Sequence, residues 1–219
     1  MRWLVVAAML GFAAPGWAGT YSFSNTNAIS ISDSGNPPTV ADLYPSTISV
    51  TGLDGQNISH LTITLSGFSH SFPSDLDIVL AGPGGQLSML MSEVGGNTRS
   101  PVSNLTLTLD DSAADSLPID STLISGTFRP TRQFPTLSFE LPSPAPAGSS
   151  SAPAALSIFD GTDPDGNWTL FAVDESSPDS GTIALGWSMD IATVPEPGMV
   201  GIAALGLGCI TALRIRRRH

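Results

Sequence analysis

Residues 182–191, TIALGWSMDI, alternate in polarity with a period of two. Ile183, Leu185, Trp187, Met189 and Ile191 fall on one side; Thr182, Ala184, Gly186, Ser188 and Asp190 fall on the other. A helix would scatter these side chains around its axis, whereas a strand gathers each set on one face. The segment therefore belongs to a sheet with one face buried and one wet. Just upstream, residues 168–173, WTLFAV, are apolar on both faces apart from Thr169. That pattern marks a more interior strand. An acidic turn region containing Asp174, Glu175, Asp179 and Gly181 joins the two.

The same reading holds further up the chain. Leu61, Ile63 and Leu65 alternate with Thr62, Thr64 and Ser66, and Thr favours strands. Leu76, Ile78 and Leu80 point one way, and Asp75, Asp77 and Val79 the other, before a GPGG turn and a returning strand at 86–91. No stretch between residues 19 and 194 carries the helical period over a useful length. Short strands separated by Gly-, Pro-, Asp- and Ser-rich turns predict an all-β sandwich. At 219 residues the chain suffices for one such domain plus its ends. The expected core includes Leu61, Ile63, Leu76, Ile78, Trp168, Leu170, Ile183, Leu185 and Trp187.

Charge is unevenly placed. The formal net charge is −11, and every basic residue other than histidine is Arg. Between residues 19 and 194 only Arg99, Arg129 and Arg132 face 18 acids, a formal −15. Such a surface repels phosphate backbones, which excludes nucleic acid as a natural partner, and attracts cations.

Both termini read as targeting segments. Met1 and Arg2, an apolar run over 3–14 and Gly16-Trp17-Ala18 form a secretory signal peptide over residues 1–18. The single cysteine, Cys209, lies in the C-terminal tail, so the exported domain holds no intrachain disulfide. Residues 194–219 comprise VPEPG, an apolar run and RIRRRH. As a helix, residues 198–213 would extend roughly 24 Å at ~1.5 Å per residue, slightly short of a ~30 Å hydrocarbon core. Ile215 and snorkelling arginines can make up the difference. Arg214, Arg216, Arg217 and Arg218 put the C-terminus in the cytoplasm.

This tripartite tail resembles the PEP-CTERM sorting signal of Gram-negative bacteria, with Pro195, Glu196 and Pro197 as its motif. The resemblance implies a membrane-held precursor that exosortase, a membrane-embedded cysteine protease, cleaves near the motif. Two prolines keep the segment extended and poor in donors, a shape suited to a protease groove.

A second resemblance covers residues 45–192. His70, Asp75, Leu76, Ile78 and Leu80 before a Pro-Gly turn, then Phe159 and Gly161, Gly166-Asn167-Trp168, Leu170, Val173-Asp174, Asp179, Gly181 and Trp187, resemble the P domain of kexin- and furin-like proprotein convertases. It implies a jelly-roll-like sandwich over residues 19–193. In that family the P domain is not a protease but stabilises a neighbouring catalytic domain. Residues 141–153, LPSPAPAGSSSAP, depart from the pattern and read as an extended, mobile insertion within the domain.

Catalytic chemistry finds little footing. The exported region has only His60 and His70, and lacks a Gly-x-Ser-x-Gly turn, a His-x-x-x-His pair or a cysteine for zinc. His60 precedes a strand and His70 sits in a loop, each a surface or hydrogen-bonding residue. Calcium is the expected cofactor, because acidic loops between strands offer the oxygens it takes. Asp160, Asp163 and Asp165 form one candidate cluster and Asp174, Glu175 and Asp179 another, with Asp75 and Asp77 contributing from the earlier block. The bland alternative is turn aspartates bonded to their own backbone. These features predict an exported, non-catalytic surface or matrix module, processed by signal peptidase and an exosortase, that meets exopolysaccharide or matrix components. The alternative is an accessory P domain acting in trans on a separate subtilisin-like protease. Hydrolase activity is the weakest of the three readings.

Overall fold

One strand of 15 residues, β5 (Gln56–His70), forms the spine of the first sheet. One of its edges carries β8 (Val102–Asp110) and, beyond it in parallel, β9 (Gly126–Phe128). The other edge carries two strands end to end: β13 (Trp187–Pro195) and β12 (Gly181–Ile183). Outside these lie β1 (Gly19–Asn25) on β13 and β2 (Ile29–Ile31) on β12. The second sheet runs β10 (Thr131–Arg132), β7 (Leu87–Ser92), β6 (Leu76–Ala81) and β11 (Gly166–Asp174). The far edge of β11 takes both β4 (Ser46–Val50) and β3 (Thr39–Val40). The computed structural model describes residues 18–32, 37–96 and 98–196. Most of the expected signal peptide, Pro197, the expected span at 198–213 and its arginine end lie outside the described residues. Among the described residues no helix is long and apolar enough to cross a membrane.

Register explains why the two sheets close on one core. Ile191 pairs with Leu61, Met189 with Ile63 and Trp187 with Leu65, while Ile63 and Leu65 pair on their other side with Leu109 and Leu107. Period-two alternation then turns all of these onto one face. They pack against Ile78, Leu80, Trp168 and Leu170 of the second sheet. Trp168 and Trp187 are fully buried, and each indole N–H has a partner: Pro164 O at 3.0 Å and Ser46 Oγ at 3.0 Å. Burying two indoles removes a large apolar area from water without leaving their donors unpaired.

Leu185 breaks the expected alternation. It is 63% exposed, although Ile183 and Trp187 on either side are buried. The long strand expected at 182–191 is two strands, parted where Gly186 adopts φ +70° and its N–H bonds to Ile183 O. The amides of Ala184 and Leu185 bond instead to Gly67 and Ser66, where β5 itself bulges against β8. The bulge swings Leu185 off the buried face, an effect that parity counting cannot register. A Cβ at Gly186 would lie 2.0 Å from Asn25 O, so close approach as well as φ requires glycine.

The second sheet is buried on both sides. Trp168, Leu170 and Ala172 face the inter-sheet core; Phe171 and Val173 face outward, yet are equally covered. Their cover is the segment following β10. Residues 141–153, expected to be a mobile insertion, are folded onto this face: Leu141 and Ala152 pack with Val79, Ala81, Met89, Phe171 and Val173. The Arg132 guanidinium donates to the carbonyls of Phe134, Ser150 and Ala152. Glu140 accepts from the amides of Gly148 and Ser150 and from both their neighbouring serine hydroxyls, Ser149 and Ser150. Polar composition suggested a free loop, but internal hydrogen bonds and the apolar anchors Leu141 and Ala152 make it a strap.

Candidate functional site

The strap and the C-terminal ends of β7 and β11 enclose a pocket of about 430 Å³, lined by Glu93, Phe134, Thr136, Leu137, Ser138 and Glu175. Glu93 and Glu175 are the acids of its lining, and the carboxylates gathered at this end of the fold come from three distant stretches. β6 begins at a 3₁₀ turn, Pro73–Asp75, so Asp75 and Asp77 sit at the start of the strand. β11 runs antiparallel to it, pairing Asp174 with Leu76 and Val173 with Asp77, which brings Asp174 and Glu175 alongside. The Glu175 amide donates to Asp75 O at 2.7 Å. Glu93 follows β7 with φ +54°, a left-handed conformation that costs a non-glycine residue roughly 1 kcal/mol.

Burial sets the protonation states here. Asp77 is 1% exposed, and its carboxyl is pushed up to about 9, first by loss of solvation and then by its hydrogen bond to the Glu175 carboxyl. A hydrogen bond from Ser92 opposes the shift. The Asp77 Oδ2 atom has no hydrogen-bond partner among the described residues. Asp75 is raised to about 6 by desolvation and by the negative charges of Asp174 and Asp179. Glu93 is raised by desolvation, then by Glu175 and Asp75. Like charges that cannot all ionise together keep protons.

Two members of this acidic end are already paired. His70 Nε2 stands 3.4 Å from Asp174 Oδ2, both side chains buried, while His70 Nδ1 accepts from the Phe72 amide. That pattern puts the ring proton on Nε2, facing the carboxylate. The geometry is an electrostatic contact rather than a formed hydrogen bond, since both atoms lack a bonded partner by angle. Asp179, also buried, accepts from Ser71 Oγ and from Arg99. Sequence reading put His70 in a loop; it is the last residue of β5, sealed by β12, and Gly181 passes so close that a Cβ there would meet its ring at 2.3 Å. His60 is likewise within β5, 3.1 Å from Asp110. Against the upward pull of burial, two hydrogen bonds from Ser112 and then the His60 contact hold Asp110 below the usual carboxylate range.

The other sequence-derived cluster disperses. Asp165 accepts from the Leu53 amide, fixing a loop between the sheets, and Asp163 accepts from the amide of Asp165 in a local turn. Asp160 instead borders a separate pocket of about 280 Å³ with His60, Leu61, Asp111, Ser112, Leu156 and Ser157. Asp75, Asp77, Asp174, Glu175 and Asp179 do share one end of the fold. Among the described residues, however, no three His, Cys, Asp or Glu side chains stand where one metal ion could be held. The donors are of the kind that calcium takes. Glu93 and Phe134 were missed by sequence reading. Glu93 follows its strand as a lone acid, and Phe134 has no periodic neighbour, so neither carried a signal.

Comparison with known proteins adds little. No family model matches the chain and no curated protein matches it. Among solved structures, a serine protease of Aeromonas sobria matches with a TM-score of 0.37 at 14% identity, over 84% of this chain and 28% of the protease.

Proposed function

We propose that this chain is an exported, non-catalytic module of the cell surface or extracellular matrix, a jelly-roll-like sandwich of P-domain type delivered by a signal peptide and released by an exosortase-type system. The observation that carries the reading is the join between sandwich and tail. β13 continues through Val194 and Pro195, paired with Asn57 and Gln56, and the Glu196 amide donates to Gly55 O at 3.0 Å. The paired strand thus runs past residue 193 into the Pro195-Glu196-Pro197 motif. The described ladder uses residues as far as Glu196, so a cut beyond the motif would leave that ladder whole. A cut before it would strip the end of β13 from β5. Cleavage on the C-terminal side of Glu196 is the outcome compatible with a stable product.

The test is the intact mass of the chain recovered from envelope and medium, in cells with and without the sorting protease. Loss of Arg214 to His219 that depends on the protease supports the proposal; full retention in the exported pool overturns it. Co-purification then separates the two roles for the module. Matrix polysaccharide as the recurrent partner favours the surface role, and a subtilisin-like protease favours the accessory one.

A further inference from the structure

The acidic pocket has more negative groups than the chain supplies cations to meet. Arg99 is held by Asp179, His70 faces Asp174, and Arg132 is spread over three strap carbonyls while exerting its charge on Asp77. The charges of Glu175 and Asp75 act on Glu93, and that of Glu175 acts on Asp75. Beneath them lies Asp77, turned to Glu175, fully buried and with an oxygen that no protein donor reaches. A buried carboxyl held this way calls for a positive group from outside the chain or keeps a proton in its place.

The shape of the pocket decides which kind of positive group. A bare divalent ion needs several oxygens converging at ~2.3–2.6 Å, and no three acidic or histidine ligands among the described residues converge on an ion. The volume, about 430 Å³, is more than ten times the roughly 30 Å³ share of a water molecule. One wall is apolar: Phe134 is 52% exposed, and Leu137 packs behind it against the outer face of the second sheet. An aromatic face beside carboxylates suits a cation carried on a methylene stem, with ring and stem in contact and the charged end on the acids. Thr136 and Ser138 add hydroxyl acceptors at the rim.

We propose that the pocket formed by Glu93, Phe134, Leu137 and Glu175 binds an organic cation, the guanidinium or ammonium end of a basic side chain or a polyamine. Glu175 and Glu93 take the charge and Phe134 flanks the stem. The inference is independent of how the chain is exported or cleaved.

The test is calorimetric titration of the purified chain with acetyl-Gly-Arg-Gly-amide, its citrulline isostere, spermidine and calcium chloride. The arginine peptide should bind, and citrulline should bind at least about tenfold more weakly, the cost of losing a charge-assisted contact. Glu175→Gln and Glu93→Gln should each weaken the peptide by about tenfold, and Asp163→Asn, remote from the pocket, should leave it unchanged. Phe134→Ala, at an exposed position that folding does not need, should weaken binding while the melting temperature stays put. Spermidine as the tighter ligand would identify a free amine, and the peptide a protein partner; both support the proposal. Equal binding of arginine and citrulline, indifference to Glu175→Gln and Phe134→Ala alike, or Glu175-dependent calcium binding without peptide binding would each overturn it.

Discussion

Replacing Asp77 by Asn should change how stability depends on pH more than it changes stability itself. In the folded chain burial and the Glu175 carboxyl raise Asp77 from 3.8 to about 9. The native state therefore holds a proton that the unfolded chain gives up above pH ~4. Because the native state binds more protons, unfolding free energy falls as pH rises, and the stabilisation present below pH ~4 drains away up to about pH 9. One full proton corresponds to about 1.4 kcal/mol per pH unit, so three units from pH 5 to 8 set a ceiling of about 4 kcal/mol. The charge of Arg132 and rearrangement of Glu175 trim this, leaving about 2–4 kcal/mol. Asp75, raised to about 6, acts in the same direction, but its partial exposure keeps its share small. Asp110 and Glu140 are lowered, so their contributions are lost only at more acid pH, outside this window. Asn keeps the shape, can donate to Glu175 and does not titrate. Urea unfolding followed by tryptophan fluorescence at pH 5 and pH 8 should show wild type losing about 2–4 kcal/mol and Asp77→Asn losing less than half of that. Parallel losses in the two proteins would refute the assignment of the proton to Asp77.

Five further substitutions probe the frame around the site. Gly186→Ala places a Cβ 2.0 Å from Asn25 O at φ +70° and should cost about 3 kcal/mol or more, read as a lowered melting temperature. Ser46→Ala orphans the buried indole N–H of Trp187; calorimetry should find a loss of about 1–3 kcal/mol, and none would mean that another acceptor takes over. Leu185→Ser should stay within about 0.5 kcal/mol of wild type while Ile183→Ala costs about 2–5, a contrast that a single continuous strand would not produce. Leu141→Ala should cost about 2–4 kcal/mol and speed hydrogen exchange at Phe171 and Val173, the residues that the strap covers.

Read alone, the sequence determined what depends on neighbours along the chain. Alternation at 61–66, 76–80 and 187–191 specified strands, which side chains share a face and an all-β class, because a strand's period is a local property. The same counting put Asp77 opposite Ile78, correctly, and carried no information on what covers that side. Only tertiary structure decided what covers each face. Residues 141–153, polar and proline-rich, fold over Val79, Phe171 and Val173, and this burial turns Asp77 from a solvated carboxylate into a proton holder. Leu185 escaped the core because of a bulge set by Gly67 and Gly186, two backbone conformations that side-chain pattern does not encode. The acidic pocket is tertiary throughout: Asp75 and Glu175 stand a hundred positions apart and meet only because β6 and β11 pair antiparallel. Local polarity fixes which way a side chain points along its strand. Solvation and charge are set by what lies on the other side, and that is decided by contacts distant in the chain.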